Sequence, residues 1–246
     1  MSGRFQWPDG RQSAVVISFD GDAESPHVFR DPVRAQRQLG EMAERRFGPR
    51  VGVPRILRLL RSHELRATFF VPGYTVAHHT DAVRAIQAAG HELACHGNVH
   101  EALDTLDEQR ELVVLEEQLQ IFHEVIGIRP VGYRAPSWEL NVGTPALLRR
   151  YGFLYDSSLM ADDVPYTLET DAGPRVEVPV HWALDDAPLY RHVRGASNAI
   201  ADPDRVVAMW RREFDALHRE GGCFVLTMHP WLSGRAGRVA ALAELI

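Results

Sequence analysis

The sequence predicts an α/β fold, a distorted barrel of six to seven parallel strands, and three observations carry that expectation. Short apolar runs recur along the chain and alternate with stretches of helical periodicity, the pattern of a parallel sheet with right-handed crossovers. Each run is followed at once by a polar residue capable of chemistry. The length, 246 residues, suits one α/β barrel better than two domains, so residues 1–246 are read as a single domain. Six or seven strands fit an incomplete barrel better than a regular eight-stranded one. An open doubly wound sheet is the alternative, and it too would bind ligands outside the strands' carboxyl ends.

The elements follow in order. AVVISF (14–19) is the first strand, and residues 31–50 form a charged, partly helical insertion. Residues 53–63 repeat apolar side chains at helical spacing, with Pro54 in the first turn where proline is tolerated. ATFFV (67–71) is the second strand. Residues 81–89 form a short helix ended by Gly90. HELAC (91–95) follows as a strand, then a long helix over 106–126 closing at Gly127. VGY (131–133) and FLY (153–155) flank a helix over 144–151 that ends on Gly152. VEVPVHW (176–182) reads as a strand interrupted by Pro179. Asp202 caps a helix carrying Val206, Met209, Trp210 and Leu217 on one side, and CFVLTM (223–228) is the last strand.

An apolar fraction of 45% and a charged fraction of 24% are those of an ordinary globular protein. A net charge of −6, with arginines interleaved among acids, argues against a nucleic-acid partner. No run approaches a membrane span, and MSGRFQWPDGRQ has no apolar secretory core, so the expected location is cytoplasmic. Cys95 and Cys223, the only cysteines, lie inside predicted strands and read as core residues. The chain ends in AALAELI, an uncapped helical pattern that leaves room for continuation beyond Ile246.

Residues at the C-terminal ends of barrel strands converge on one face, where active sites form. Five strand ends would thus bring Asp20, Asp22, Asp156, His96, His100, His229 and Arg134 to one mouth. His96 and His100 are spaced so that a turn of helix puts both on one face, and such a pair can chelate a divalent ion. Two histidines and one carboxylate leave positions open for water and substrate. Gly21 lets Asp20 and Asp22 point to different tasks; Glu24 reads as a solvated loop charge. Arg134, before Ala135-Pro136, is expected to grip a carboxylate through a double hydrogen bond. His229 is a candidate general acid. Asp156 either orients His229 or caps the Ser157-Ser158 turn. His78 and His79 read as solvated, and Tyr74, Trp138, Trp182 and Trp231 as aromatic walls or ordinary packing.

The ordered set SFDGDAES, HGNVH, RAPSW, DSSL and TMHP resembles the polysaccharide deacetylases, the NodB-homology or carbohydrate esterase family 4 fold, from about Ser18 to Pro230. The resemblance implies a divalent metal held by Asp22, His96 and His100, with zinc first and cobalt, manganese or nickel as alternatives. It implies Asp20 as general base tethered by Arg134, and His229 as general acid. Two departures stand out: Asp-Gly-Asp replaces the family's Asp-Asp-Gly, and Gly97 replaces a Ser or Thr. Both are shared with a branch of peptidoglycan-deacetylase-like proteins and cyclic imide or ureide hydrolases.

The expected activity is hydrolysis of a non-peptide amide bond, with a small or oligosaccharide N-acetylated sugar as substrate. Hydrolysis of a cyclic imide or ureide is the alternative. A non-haem iron oxygenase, built on the same facial triad, and a silent carbohydrate-binding protein are further alternatives. Loops 23–50 and 183–201 are long enough to shape the pocket or to cover a neighbour's site in a homo-oligomer.

Overall fold

A computed structural model describes residues 5–193, 195–196 and 199–246. Residues 1–4 of the N-terminal stretch and Arg194, Ser197 and Asn198 of loop 183–201 lie outside the described residues. Among the described residues, eight strands form one sheet: β1 (Ala14–Asp20), β2 (Thr68–Val71), β3 (Glu92–Cys95), β4 (Gly132–Tyr133), β5 (Tyr155–Asp156), β6 (Tyr166–Leu168), β7 (Arg175–Glu177) and β8 (Cys223–Met228). Their order is β6-β7-β5-β4-β3-β2-β1-β8. Seven run parallel; β6 pairs antiparallel with β7. That short hairpin was not expected, because its three residues are half-buried or exposed and form no apolar run. The strand expected over 176–182 is regular only to Glu177, since Pro179 cannot donate to a ladder.

The chain beyond β7 then completes the curl. The Val178 N–H reaches the Asp156 carbonyl and the Val180 N–H the Leu159 carbonyl. Asp185 makes a parallel bridge to Thr227 on the edge of β8 away from β1. An irregular segment, rather than a strand, therefore closes the distorted barrel.

Strand alternation divides the side chains between two environments. Odd residues of β1, such as Ile17 and Phe19, pack into the large core beneath the helices. Even residues face inward, where Ala14 and Val16 join Val180, Cys223 and Val225 in a smaller cluster. Further along the same inner face stand Ser18 and Asp20, so the barrel interior is apolar below and polar at its C-terminal mouth. Both cysteines are buried and unpaired in disulfides, as expected.

The insertion after β1 is more helical than its charge suggested, with helices Ser25–Arg30, Pro32–Ala35 and Leu39–Phe47. Asp31 caps the second, accepting a hydrogen bond from the Arg34 N–H. A wide turn, Gly48–Gly52, leads into the expected helix Val53–Ser62. A Cβ on Gly52 would lie 2.0 Å from the Pro230 carbonyl oxygen, so glycine there permits the close approach that seats this turn against the residues after β8. The long helix begins at Glu108 rather than 106, because Asp107 caps it, and it ends through a wide turn at Gly127. No helix among the described residues is long and apolar enough to cross a membrane.

Candidate active site

Three of the expected residues converge after β1 and β3. The Gly21 N–H bonds the Phe70 carbonyl at 2.7 Å, carrying the β1–β2 ladder one step past Asp20. Asp22 then turns inward, its Oδ1 lying 3.4 Å from His96 Nε2 and 3.8 Å from His100 Nε2. That oxygen is buried with no hydrogen-bond partner. An orphaned carboxylate oxygen between two imidazole nitrogens is costly unless a cation answers it. The ligand atoms of Asp22, His96 and His100 all lie within 4.8 Å of one another. A tetrahedral ion with bonds of roughly 2 Å needs ligand atoms about 3.4 Å apart. The donor set fits a divalent metal.

The loop, not a helix turn, brings the two histidines together. Gly97 and His100 have φ of +71° and +60°, so 96–100 is irregular. A Cβ on Gly97 would meet Pro136 Cγ at 2.8 Å and Glu101 Oε2 at 2.9 Å, which accounts for glycine at this departure from the family pattern. Glu101 staples the loop by accepting the Asn98 and Val99 N–H groups. His96 Nδ1 pairs with the Arg134 carbonyl at 2.8 Å. A carbonyl only accepts, so Nδ1 carries the proton and Nε2 presents its lone pair to Asp22. Burial opposes charge on His96, but Asp20 and Asp22 overcome it and raise its pKa. Burial dominates at His100, pushing it down to about 4. Burial also opposes charge on Asp22, yet His100, His96 and His229 hold its carboxyl well below the ordinary range.

Asp20 and Arg134 meet as expected, though by a single bond. Arg134 Nη1 donates to Asp20 Oδ1 at 2.7 Å and to Ser18 Oγ at 3.0 Å. Its Nε and Nη2 go to the Ser157 carbonyl and hydroxyl, so the double hydrogen bond to one carboxylate is not formed. The guanidinium is fully buried and lies 4.0 Å above the Phe70 ring. With Oδ1 held, Asp20 Oδ2 is left facing the mouth, 3.8 Å from His96 Nε2.

Of the two alternatives for Asp156, the structure has the turn cap and not the partner of His229. Asp156 sits in register with Tyr133 and Glu177, and Tyr133 packs into the core beneath the helices, so its carboxylate points away from the mouth. There it accepts the Ser158 hydroxyl at 3.0 Å, which is the turn-capping alternative. The partner of His229 is Asp186. His229 Nδ1 donates to Asp186 Oδ1 at 2.7 Å, while Oδ2 accepts the His229 backbone N–H and the Ser233 hydroxyl. Burial lowers the basicity of His229, but Asp186, then Asp22 and Asp185, outweigh it and push its pKa up to about 10. Its Nε2 is 3.6 Å from Asp22 Oδ2.

Sequence reasoning missed Asp185 and Asp186 because the Trp182-Ala183-Leu184 they follow is a short helical turn running past the expected strand, not a strand end; two adjacent acids in a long loop resemble a solvated charge. Glu24 also departs from expectation. It is buried and accepts Arg46 Nε at 2.5 Å and pairs with His79 Nε2 at 2.6 Å, so neither Glu24 nor His79 is simply solvated.

Asp20, Asp22, His96, His100, Asp185 and His229 line a cleft of about 520 Å³. Trp138 and Trp182 stack at 4.3 Å on one wall, and Trp231 lies on another. Ser137 and Trp138 both hold left-handed φ, +57° and +58°, a backbone cost that serves to present the indole. Tyr74 is not part of the wall; it stacks on His78 at 4.0 Å.

A family model described as polysaccharide deacetylase matches residues 47–155. A peptidoglycan deacetylase from Helicobacter pylori is 32% identical over 249 aligned residues, covering 90% of this chain and 85% of that protein. A Mycobacterium smegmatis crystal structure assigned to the polysaccharide deacetylases superposes with a TM-score of 0.95 at 48% identity, covering 98% of this chain and 85% of that one. An allantoinase crystal structure gives 0.82 at 25% identity, with the same coverage.

Proposed function

The chain belongs to the polysaccharide deacetylase family, a family of hydrolases, and from that premise we propose metal-dependent removal of an acetyl group from an N-acetylated amino sugar. The single observation that carries the metal dependence is the orphaned Asp22 Oδ1 between two histidine nitrogens. Asp22, His96 and His100 would hold the ion, with zinc the first choice for this donor set. When bound, it supplies Lewis acidity for the amide carbonyl and for water.

The chain's own residues supply the proton transfers. Asp20 Oδ2 takes a proton from the attacking water, and Arg134 holds the carboxylate in place through Oδ1. Water oxygen bonds to the acetyl carbon as the C–N bond breaks. His229 Nε2 delivers the proton that the departing nitrogen needs, giving acetate and a free amine. Nδ1–H stays on Asp186, so the acid is the imidazolium, whose second proton on Nε2 faces the cleft. The paired tryptophans offer a flat apolar face on which a pyranose ring can rest.

Likeness to an allantoinase favours one second reading, ring opening of a small cyclic amide. Zinc-loaded protein assayed for acetate release from acetylated amino sugars and chitooligosaccharides, and for ring opening of hydantoin, succinimide and allantoin, separates the two. Acetate release that chelation abolishes and zinc restores is the expected result. Ring opening without acetate release would replace the deacetylase reading with the second.

A further inference from the structure

One cationic group in the cleft has no assigned task. Arg45, on helix Leu39–Phe47, is only 3% exposed and lines the cleft. Its guanidinium lies 3.9 Å over the Trp231 ring. Its nearest anion is Asp22, with Nη1 3.9 Å from Oδ2, beyond hydrogen-bond reach. Among the described residues the Arg45 side chain makes no hydrogen bond. The next residue, Arg46, turns the other way to Glu24. A guanidinium has five donors in a fixed fork, and a substrate that covers them without offering an acceptor makes that burial costly.

The cleft's own carboxylates are committed elsewhere. Asp20 is bonded to Arg134, and Asp185 accepts the Ala187 N–H beside His229. Asp22 faces the two histidines. Arg30 and Arg191 line the same cleft farther out, adding positive charge along the path to Arg45. The flat fork stacked on an indole suits a planar or tetrahedral oxyanion, which it can meet with two parallel hydrogen bonds.

We propose that Arg45 is the inner contact of an anion-recognition subsite, so that the preferred substrate carries an oxyanion beside the scissile amide. This rests on the amide-hydrolase reading above and narrows its substrate class. The specificity follows from desolvation: an uncharged substrate buries Arg45 without giving it an acceptor, whereas an anionic one supplies it.

The test compares N-acetylglucosamine with N-acetylmuramic acid, which adds a carboxylate, and with N-acetylglucosamine 6-phosphate. Acetate release by zinc-loaded protein should favour at least one anionic sugar in kcat/KM by about tenfold or more, the scale of a charge-assisted hydrogen bond. Which sugar is favoured distinguishes carboxylate from phosphate. Arg45→Met should reduce that preference to near unity and Arg45→Lys should restore part of it. Were Arg45 acting only through Asp22, all three sugars would fall together; that outcome overturns the proposal, as does a wild-type ratio near one. Should Arg45→Met fail to fold, the exposed Arg30→Gln variant decides, since an unlowered preference there also overturns it. Calorimetric binding of the same sugars separates the two readings. Tighter binding of an anionic sugar without turnover of any would remove the deacetylase reading and keep the subsite. Equal turnover of all three would do the reverse.

Discussion

Asp20 and Asp156 are the same residue in the same local setting, each the last position of a buried parallel strand, and they have opposite fates. Asp20 faces the mouth, tethered by Arg134. Asp156 faces the helix-covered side, beside Glu177 and Arg175. The difference is one step of strand alternation. Asp20 shares its face with Ser18 and Val16, whereas Asp156 shares register with the core residue Tyr133. Residue type and strand-end position nominate a candidate carboxylate; parity decides whether it reaches the mouth.

The sharpest way to break this contrast is Asp20→Asn. Losing the proposed general base should lower kcat by about 10³-fold while the content of added zinc, measured by atomic absorption, stays at the wild-type level. Retained turnover would remove Asp20 from that role. Asp186→Asn comes next, because a loop acid holds the place beside His229 that was one of two alternatives for Asp156. With its carboxylate charge gone, His229 should lose its proton at lower pH. In the proposed mechanism the protonated form is active, so the basic limb of the kcat profile should move downward, with about tenfold to a hundredfold loss near neutrality. An unmoved limb would mean that Asp186 does not tune the acid.

Asp156→Asn should leave kcat/KM within about twofold, since nothing reacting touches it. A loss as large as that of Asp186→Asn would show that the Ser158 hydroxyl and the Ala135 N–H it accepts transmit more than position. The smallest effect is on stability. Burial first, and then the neighbouring Asp156, hold the Glu177 pKa well above the usual carboxyl value. The folded state thus binds this proton more tightly than the unfolded state. The resulting stability is present in acid and is lost as pH rises above the ordinary carboxyl range. Glu177→Gln should keep the acceptor for the Ser158 and Leu159 N–H groups and raise Tm at pH 9 by about 3 °C. A Tm that falls equally at pH 5 and pH 9 would contradict this.

Much of this was legible before any coordinates. β1, β2, β3 and β8 lie within a residue or so of the apolar runs that announced them, because central parallel strands carry near-continuous apolar sequence. The triad and the Asp20–Arg134 tether were found from strand-end placement and family motifs. β6 and the closing segment 178–186 were not, because their side chains are partly exposed and Pro179 breaks the pattern. The acid's partner went unseen for the same reason. Asp186 is delivered by a bridge from Asp185 to Thr227, a long-range contact that leaves no periodic trace.

Local chemistry along the chain therefore determined which elements form and which residue types arrive at the barrel's mouth. Apolar periodicity, glycine turns and cap residues are short-range signals, readable within a few positions of where they act. Tertiary structure alone decided which acid pairs with His229, that Glu24 is buried, and that Arg45 rather than Arg46 turns into the cleft. Those outcomes depend on which faces meet when distant segments pack, and burial sets the cost of each charge only after that meeting.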